Sequence, residues 1–485
     1  MQTYEELLGS EGRLIYYRAE RFRVKDLFGA MAPQMSVAGQ PLALEDISMS
    51  GVAALDGRGA DWSQSLGRKV LLRLRTGADL LHESLCEVSR AEATPFGVRV
   101  AFRLIDAFID VRGLVARHEV AAIKTELSMD LGAEVDKVAP GYRRLCADVL
   151  HLTRANRAAL QRLADAASAG SPNGGGSVPE EVLWHAEEQS LPRWRSLWFQ
   201  ANEMLWPLID DPDAYRAAKR YTELVLTPEF LAGPIWRRGY EKPLGYPGDY
   251  LLMDQIYRRR WEGETPYGKL LHRLGLDVGE FVANRMVMMK EIIAGTVAAK
   301  PVGERARVTS LGSGPAHEVA SYLEAEELPR AVSFTLIDQD HEALTHAYRQ
   351  SRARAMSHGG AAEVQCLHLS FMQLLKAGSV LQEMPPQDLI YSVGLLDYLA
   401  EKRARAVVDA LYEQLAPGGR LVIGNVKRSA EASLWPLEFI ADWNLIYRSE
   451  ADMRRLARNL DPAKVELRSD ATDRVVMIVL TKPGG

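Results

Sequence analysis

The sequence predicts a multidomain chain: a small β-barrel in the N-terminal part, a helical region in the middle, and an α/β doubly wound domain closed by an antiparallel edge hairpin. Three observations predict it. The runs Arg68–Arg75 and Gly97–Leu104 alternate apolar and polar residues, the period-two mark of half-buried strands. Leu145, Val149, Leu152, Leu160 and Leu163 recur near helical spacing. Val308–Glu318 reads as a strand, a glycine turn and a helix start, and further β-runs separated by helical stretches follow it. With 485 residues the chain is too long for a single core. The expected divisions are 12–116, 117–295 and 296–485.

Composition sets the frame. Apolar content of 47% and charged content of 25% suit a soluble globular protein. The net charge of −5 comes with no basic block, which argues against a nucleic-acid partner; Arg258, Arg259 and Arg260 read as a solvated helix face. Cys86, Cys146 and Cys366 form no CxxC pair and the histidines no HExxH spacing, so neither a disulfide frame nor a metal site is expected. Met1–Gly12 is polar and acidic rather than leader-like, and no run is apolar enough to span a bilayer. A cytoplasmic protein without an integral membrane segment is expected, and a homodimer is left open.

In the first region a basic arm, Arg18 to Arg23, precedes Asp46-Ile47-Ser48-Met49-Ser50-Gly51, a DxSxxG turn. Alternating strands with this arm and turn resemble PilZ domains, six-stranded barrels that bind cyclic di-GMP. The resemblance implies Arg18, Arg23, Asp46, Ser48 and Gly51 as contacts: forked arginine donors suit phosphates and guanine edges, and Asp and Ser can meet guanine donors and phosphate oxygens. The family's two arginines stand four apart; here Arg23 keeps the second place, Ala19 fills the first, and Arg18 stands beside it. The other reading is a docking barrel in which Asp46 and Ser48 cap a turn.

In the last region Gly312, Ser313 and Gly314 break the first β-run, and backbone without Cβ atoms lets a nucleotide-like ligand lie close. The second run, Ser333–Ile337, ends in Asp338, whose carboxylate can accept from two ribose hydroxyls. The third glycine of GxGxxG is missing, which disfavours a pyrophosphate and favours S-adenosylmethionine. Strands are expected at Val364–Leu369, Asp388–Val393 and Arg420–Val426, and a hairpin of Lys464–Arg468 and Arg474–Thr481. With the Leu415-Ala416-Pro417-Gly418-Gly419 stop, this order resembles the Rossmann-like class I S-adenosylmethionine-dependent methyltransferases. For the cofactor it implies Gly312, Ser313 and Gly314 under methionine and ribose, Asp338 on the ribose, and Gln339 and Asp340 near adenine. Ser370 and Phe371 follow strand three, where Phe371 either stacks on adenine or packs in the core. Tyr391, Ser392 and Val393 end strand four at the edge of the transfer site, and Glu318 binds the methionine amine or favours its helix N-terminus.

The middle region carries Gly245-Tyr246-Pro247-Gly248-Asp249-Tyr250, a folded loop between helices. Beyond it, Arg285 interrupts the apolar stripe of a helix expected over Phe281–Thr296, and a buried charge needs an anion: Asp249 or the methionine carboxylate. GYPGDY, Asn284-Arg285, LGSGPAHE, Tyr391–Leu399 and Trp443–Arg448 together resemble the bacterial family that makes 3-hydroxypalmitic acid methyl ester, an extracellular quorum factor. Its pattern is more often GYAGDY and GLFDYL, so Pro247 and Leu396 depart from it. The resemblance implies methyl transfer to a carboxylate, such as a (hydroxy) fatty acid, or another small acceptor.

A carboxylate is already ionised and needs no strong base, in keeping with the lack of an evident catalytic dyad. Tyr246, Asp249, Tyr398 and Tyr447 are the candidate catalytic residues, and Tyr250 joins the cofactor set. Trp443 and Arg448 are the candidate acceptor contacts. Trp443 and Tyr447, four apart, are expected to share a helix face and line an acyl channel or pack in the core. Arg448 pairs with an acceptor carboxylate or sits at the surface. The alternatives are a non-catalytic cyclic di-GMP-responsive signalling adaptor on a retained methyltransferase fold, and methylation of a macromolecule, which the acidic balance disfavours.

Overall fold

A computed structural model of the chain describes residues 21–28, 32–58, 60–94, 97–127, 135–169, 178–325, 327–375 and 380–484. It divides into two compact units, Met1–Leu131 and Gly132–Gly485. Arg18 of the expected arm and the proline- and glycine-rich stretch over 170–177 lie outside the described residues.

In the first unit seven strands form one antiparallel sheet: β1 (Arg21–Arg23), β2 (Gln34–Val37), β3 (Gln40–Ser48), β4 (Gly51–Asp56), β5 (Lys69–Thr76), β6 (Asp79–Thr94) and β7 (Gly97–Leu104). Their order is β1-β3-β2-β5-β6-β7-β4, and the pairing of β3 with β4 closes six of them into a barrel. Alternation does what it predicts: Leu72 and Leu74 of β5 are buried while Leu71 and Arg73 face out. The helix Val111–Leu127 packs Leu114 and Ala121 into this core. The expected division at 116 therefore falls inside a helix that belongs with the barrel.

The second unit centres on β8 (Arg305–Leu311), β9 (Ala331–Asp338), β10 (Ala362–His368), β11 (Gln387–Ser392), β12 (Leu415–Val426), β13 (Lys464–Ser469) and β14 (Val475–Thr481). Their order is β10-β9-β8-β11-β12-β14-β13; the first five are parallel and β14 runs antiparallel to both neighbours. The chain starts in the middle, winds to β10, then returns over β11. A crevice opens where the direction reverses, between the carboxyl ends of β8 and β11.

The helices that precede this sheet are not a separate layer. The expected division at 295 lies within the helix Glu280–Ala298. Trp194 of the helical region packs against Phe230 and against Trp435, which follows β12. The Trp198 indole and the Asn202 amide both donate to the carbonyl of Ala432. After a π-helical turn, Trp435–Ile440, the chain over 441–448 is irregular and forms no helix, so Trp443 and Tyr447 share no helix face. The cause is outward pairing: Ile446 N–H donates to Asp397 O at 2.7 Å and Arg448 N–H to Val426 O at 3.1 Å. Among the described residues no helix is long and apolar enough to cross a membrane, and no three potential metal ligands converge.

Candidate functional site

The glycine turn sits on the end of β9. Gly312 and Ser313 donate their N–H groups to Ile337 O at 2.8 and 3.2 Å, which bends the chain through Gly312 (φ +68°) and Gly314 (φ +51°). Glycine is suited to both left-handed positions, and at Gly312 a Cβ would also stand 3.3 Å from Leu395. Asp338 accepts from Gly314 N at 2.8 Å and from Asp340 N at 2.9 Å, and burial pushes its carboxyl above the ordinary value. The Ser313 hydroxyl is buried with no hydrogen-bond partner among the described residues, and Ser313 lines the crevice.

A cavity of about 330 Å³ opens above this turn. Gly312, Ser313, Gly314, Asp338 and Gln339 form its sheet side, joined by Phe371 and Val393. Tyr246, Tyr250, Arg285 and Trp443 close it from the helical side, with Glu318 and Tyr398 between. Glu318 is buried, accepts from the Tyr391 hydroxyl at 2.7 Å, and has its carboxyl raised chiefly by burial.

Arg285 does not meet Asp249. Its nearest carboxylate is Asp397 at 3.7 Å, beyond hydrogen-bond reach, and among the described residues no hydrogen bond is made by its guanidinium. Asp397 accepts from Val426 N at 2.8 Å, and burial raises its carboxyl to about 6 against the pull of Arg285. The cavity thus presents, beside the buried Glu318 carboxyl, a guanidinium that is ion-paired to Asp397 at 3.7 Å and lies over the Phe281 ring at 5.7 Å, with its N–H donors not hydrogen-bonded among the described residues.

Several expected site residues lie behind these walls. Asp249 is 1% exposed and caps the helix Tyr250–Arg258 through Leu252 N, while Arg238 donates to it at 2.8 Å. Asp340 caps the helix His341–Ser357 and accepts from the Tyr246 hydroxyl. Ser370 forms a capping box with Gln373. Tyr391 holds Glu318 from below, and Ser392 is fully buried beneath the crevice with its hydroxyl unpartnered among the described residues. Tyr447 packs edge-on against Trp206 at 5.6 Å. Arg448 is buried and bonded to Leu396 O at 2.7 Å, to Leu399 O and to the Asn425 side chain, so it is neither at the surface nor free for an acceptor.

Two residues of the site escaped the sequence reading. Asp397 stands within the quoted Tyr391–Leu399 stretch, where its place beside Arg285 had no local signal. Tyr257, which lines the cavity, looked like one more aromatic residue on an amphipathic helix.

In the barrel, Arg23 stands opposite Asp46 in the β1–β3 register. The Asp46 carboxylate already pairs with Arg21 and Arg99, each at 2.5 Å. Ser48 is buried and donates to Gly51 O at 2.9 Å, and a Cβ on Gly51 would stand 2.5 Å from Phe102 O. The turn is built from the expected residues, and its acid is neutralised by two arginines not expected there.

No protein-family model matches the chain, and no curated protein matches it. Among solved structures it is similar to an exported protein, so described as a possibility, from Bordetella parapertussis, at 14% identity over 61% of this chain and 97% of that one, TM-score 0.40. It is also similar to magnesium protoporphyrin IX methyltransferase from Synechocystis with bound SAM, at 12% identity over 42% and 83% of the two chains, TM-score 0.31. A third is the N-methyltransferase NodS from Bradyrhizobium japonicum, at 15% identity over 41% and 98%, TM-score 0.28.

Proposed function

We propose that the second unit binds S-adenosylmethionine and transfers its methyl group to the carboxylate of a small apolar acid, of the (hydroxy) fatty acid kind. The observation that carries this reading is one cavity lined by a guanidinium with no hydrogen bond among the described residues, Arg285, and a buried carboxyl, Glu318, over a turn of bare backbone. An amino-acid zwitterion has the complementary charges, and Asp338 faces the same space for a ribose. The buried Ser313 hydroxyl and the glycines of the turn fit such a ligand.

The cofactor supplies an activated methyl group on a positively charged sulfur. Arg285 would hold its carboxylate, Glu318 its ammonium group, and Asp338 its ribose, while Gln339 and Phe371 border the adenine end. Tyr398, fixed by the Trp443 indole at 2.8 Å, faces the acceptor part of the cavity. Held this way, the methyl group would lie open to an ionised acceptor oxygen positioned by the Tyr398 side of the cavity. No proton moves, so no base is required; alignment and exclusion of water carry the rate. Tyr257, Phe281 and Leu445 give the cavity the apolar walls that exclude it.

Titration calorimetry with S-adenosylmethionine tests the reading: heat at one site per chain is expected, and folded protein giving none would refute it. Mass spectrometry of the methyl esters formed from a panel of fatty acids then identifies the acceptor. For the barrel we propose cyclic di-GMP as ligand, on the strength of Arg21, Arg23 and Arg99 gathered about Asp46. Binding that survives Arg99→Ala together with Arg21→Ala would reject that site.

A further inference from the structure

Beside the main cavity lies a second, about 30 Å³, walled by Ile235, Leu252, Ile256, Val278, Leu437 and Trp443. None of the side chains lining it carries a charge or a hydroxyl. Trp443 also lines the main cavity and is the residue that both spaces share. Its ring is held by one hydrogen bond, from Nε1 to the Tyr398 hydroxyl. It closes over Gly248 (φ +71°), where a Cβ would stand 2.3 Å from the indole. The second glycine of the GYPGDY loop is thus what admits the indole to this position. A space of this size with walls that are chiefly apolar favours hydrocarbon over water.

We infer that Trp443 sets the length of the acyl chain the protein accepts: the chain's end abuts the indole, and the apolar annex behind it receives further methylenes when the ring yields. The inference rests on the acid-methylation reading for its ligand class. Gly239 offers an independent handle. It lies on the annex wall within the helix Pro234–Glu241, and a methyl there meets only Leu252 and Ala441, at 3.6 and 3.7 Å, ordinary contact distances. Gly239→Ala therefore fills the annex without strain.

The test uses the full chain and measures displacement of a fluorescent fatty acid by saturated straight-chain acids from octanoate to stearate. Trp443→Phe is expected to move the optimum to longer acids, and Gly239→Ala to shorter ones. Each methylene gained or lost should change Kd roughly fourfold. Identical length profiles for both variants, or no displacement by any acid, overturn the inference. Calorimetry with S-adenosylmethionine on the same samples separates the two claims. A silent cofactor titration with the length shifts intact removes the transferase reading and leaves the annex. Cofactor binding without length shifts removes the annex alone. Should Trp443→Phe fail to fold, Gly239→Ala decides.

Discussion

The hydroxyl of Tyr391 donates to Glu318 at 2.7 Å directly beneath the crevice, and both side chains are buried. Burial raises the Glu318 carboxyl more than the Tyr391 hydrogen bond lowers it. The protein therefore keeps an acid where its anion is poorly solvated until a cation arrives, a common arrangement at binding sites.

Glu318→Gln should lower affinity for S-adenosylmethionine by roughly tenfold or more, the value of a charged hydrogen bond. Stability should move the other way. A carboxyl raised in the folded state loses stability as pH climbs through and above the ordinary carboxylate range, and glutamine has no such loss. At neutral pH the variant should melt at or above the wild-type temperature. Unchanged affinity in calorimetry would dissociate Glu318 from the cofactor.

Arg285→Gln should weaken cofactor binding by roughly tenfold to a hundredfold. It also removes the cation nearest Asp397, whose folded carboxyl lies at about 6 with Arg285 present. The variant's loss of stability should therefore be small where Asp397 is protonated and grow as pH rises past that value. Adding Asp397→Asn should restore stability at neutral pH without restoring affinity. Thermal scans across pH, read beside calorimetry, check both; recovery of affinity in the double variant would make the Arg285 role structural.

The sheet was legible because each strand is a run of β-formers between turn signals; β9 and β11 appear within two or three residues of where the sequence sets them. Gly312–Gly314 and Asp338 were legible for the same reason, since a local turn dictates them. What lies above the sheet was not. Asp249 and Arg238 pair across a loop, Arg285 and Asp397 across more than a hundred residues, and no periodicity encodes such meetings. The stretch Trp443–Arg448 misled most. Four-residue spacing looks helical, yet backbone bonds to Asp397 and Val426 hold the chain out of a helix.

Arg448 marks that difference. Its bonds to Leu396 O, Leu399 O and Asn425 tie the segment after β12 to the loop after β11. Arg448→Met leaves those acceptors unsatisfied in a buried place and should reduce stability by about 3 kcal/mol or more. Acceptor KM should change no more than cofactor affinity does. A raised acceptor KM at an unchanged melting temperature would return Arg448 to the substrate.

His272 sits in the helix Pro266–Val278, fully buried, with neither ring nitrogen partnered among the described residues. Burial first, and the Arg273 charge second, lower it from 6.5 to about 4. The sign follows directly: the unfolded chain takes up a proton on this ring before the folded one does. Stability is therefore full above 6.5 and falls between there and about 4, by about 3 kcal/mol in all. His272→Leu, similar in bulk and without polar atoms, should match or exceed the wild type at neutral pH and show a smaller acid loss by that amount. Urea unfolding at several pH values across this window measures the difference. Parallel acid profiles for the two proteins would mean that the ring finds a partner or water that stabilises its charged form.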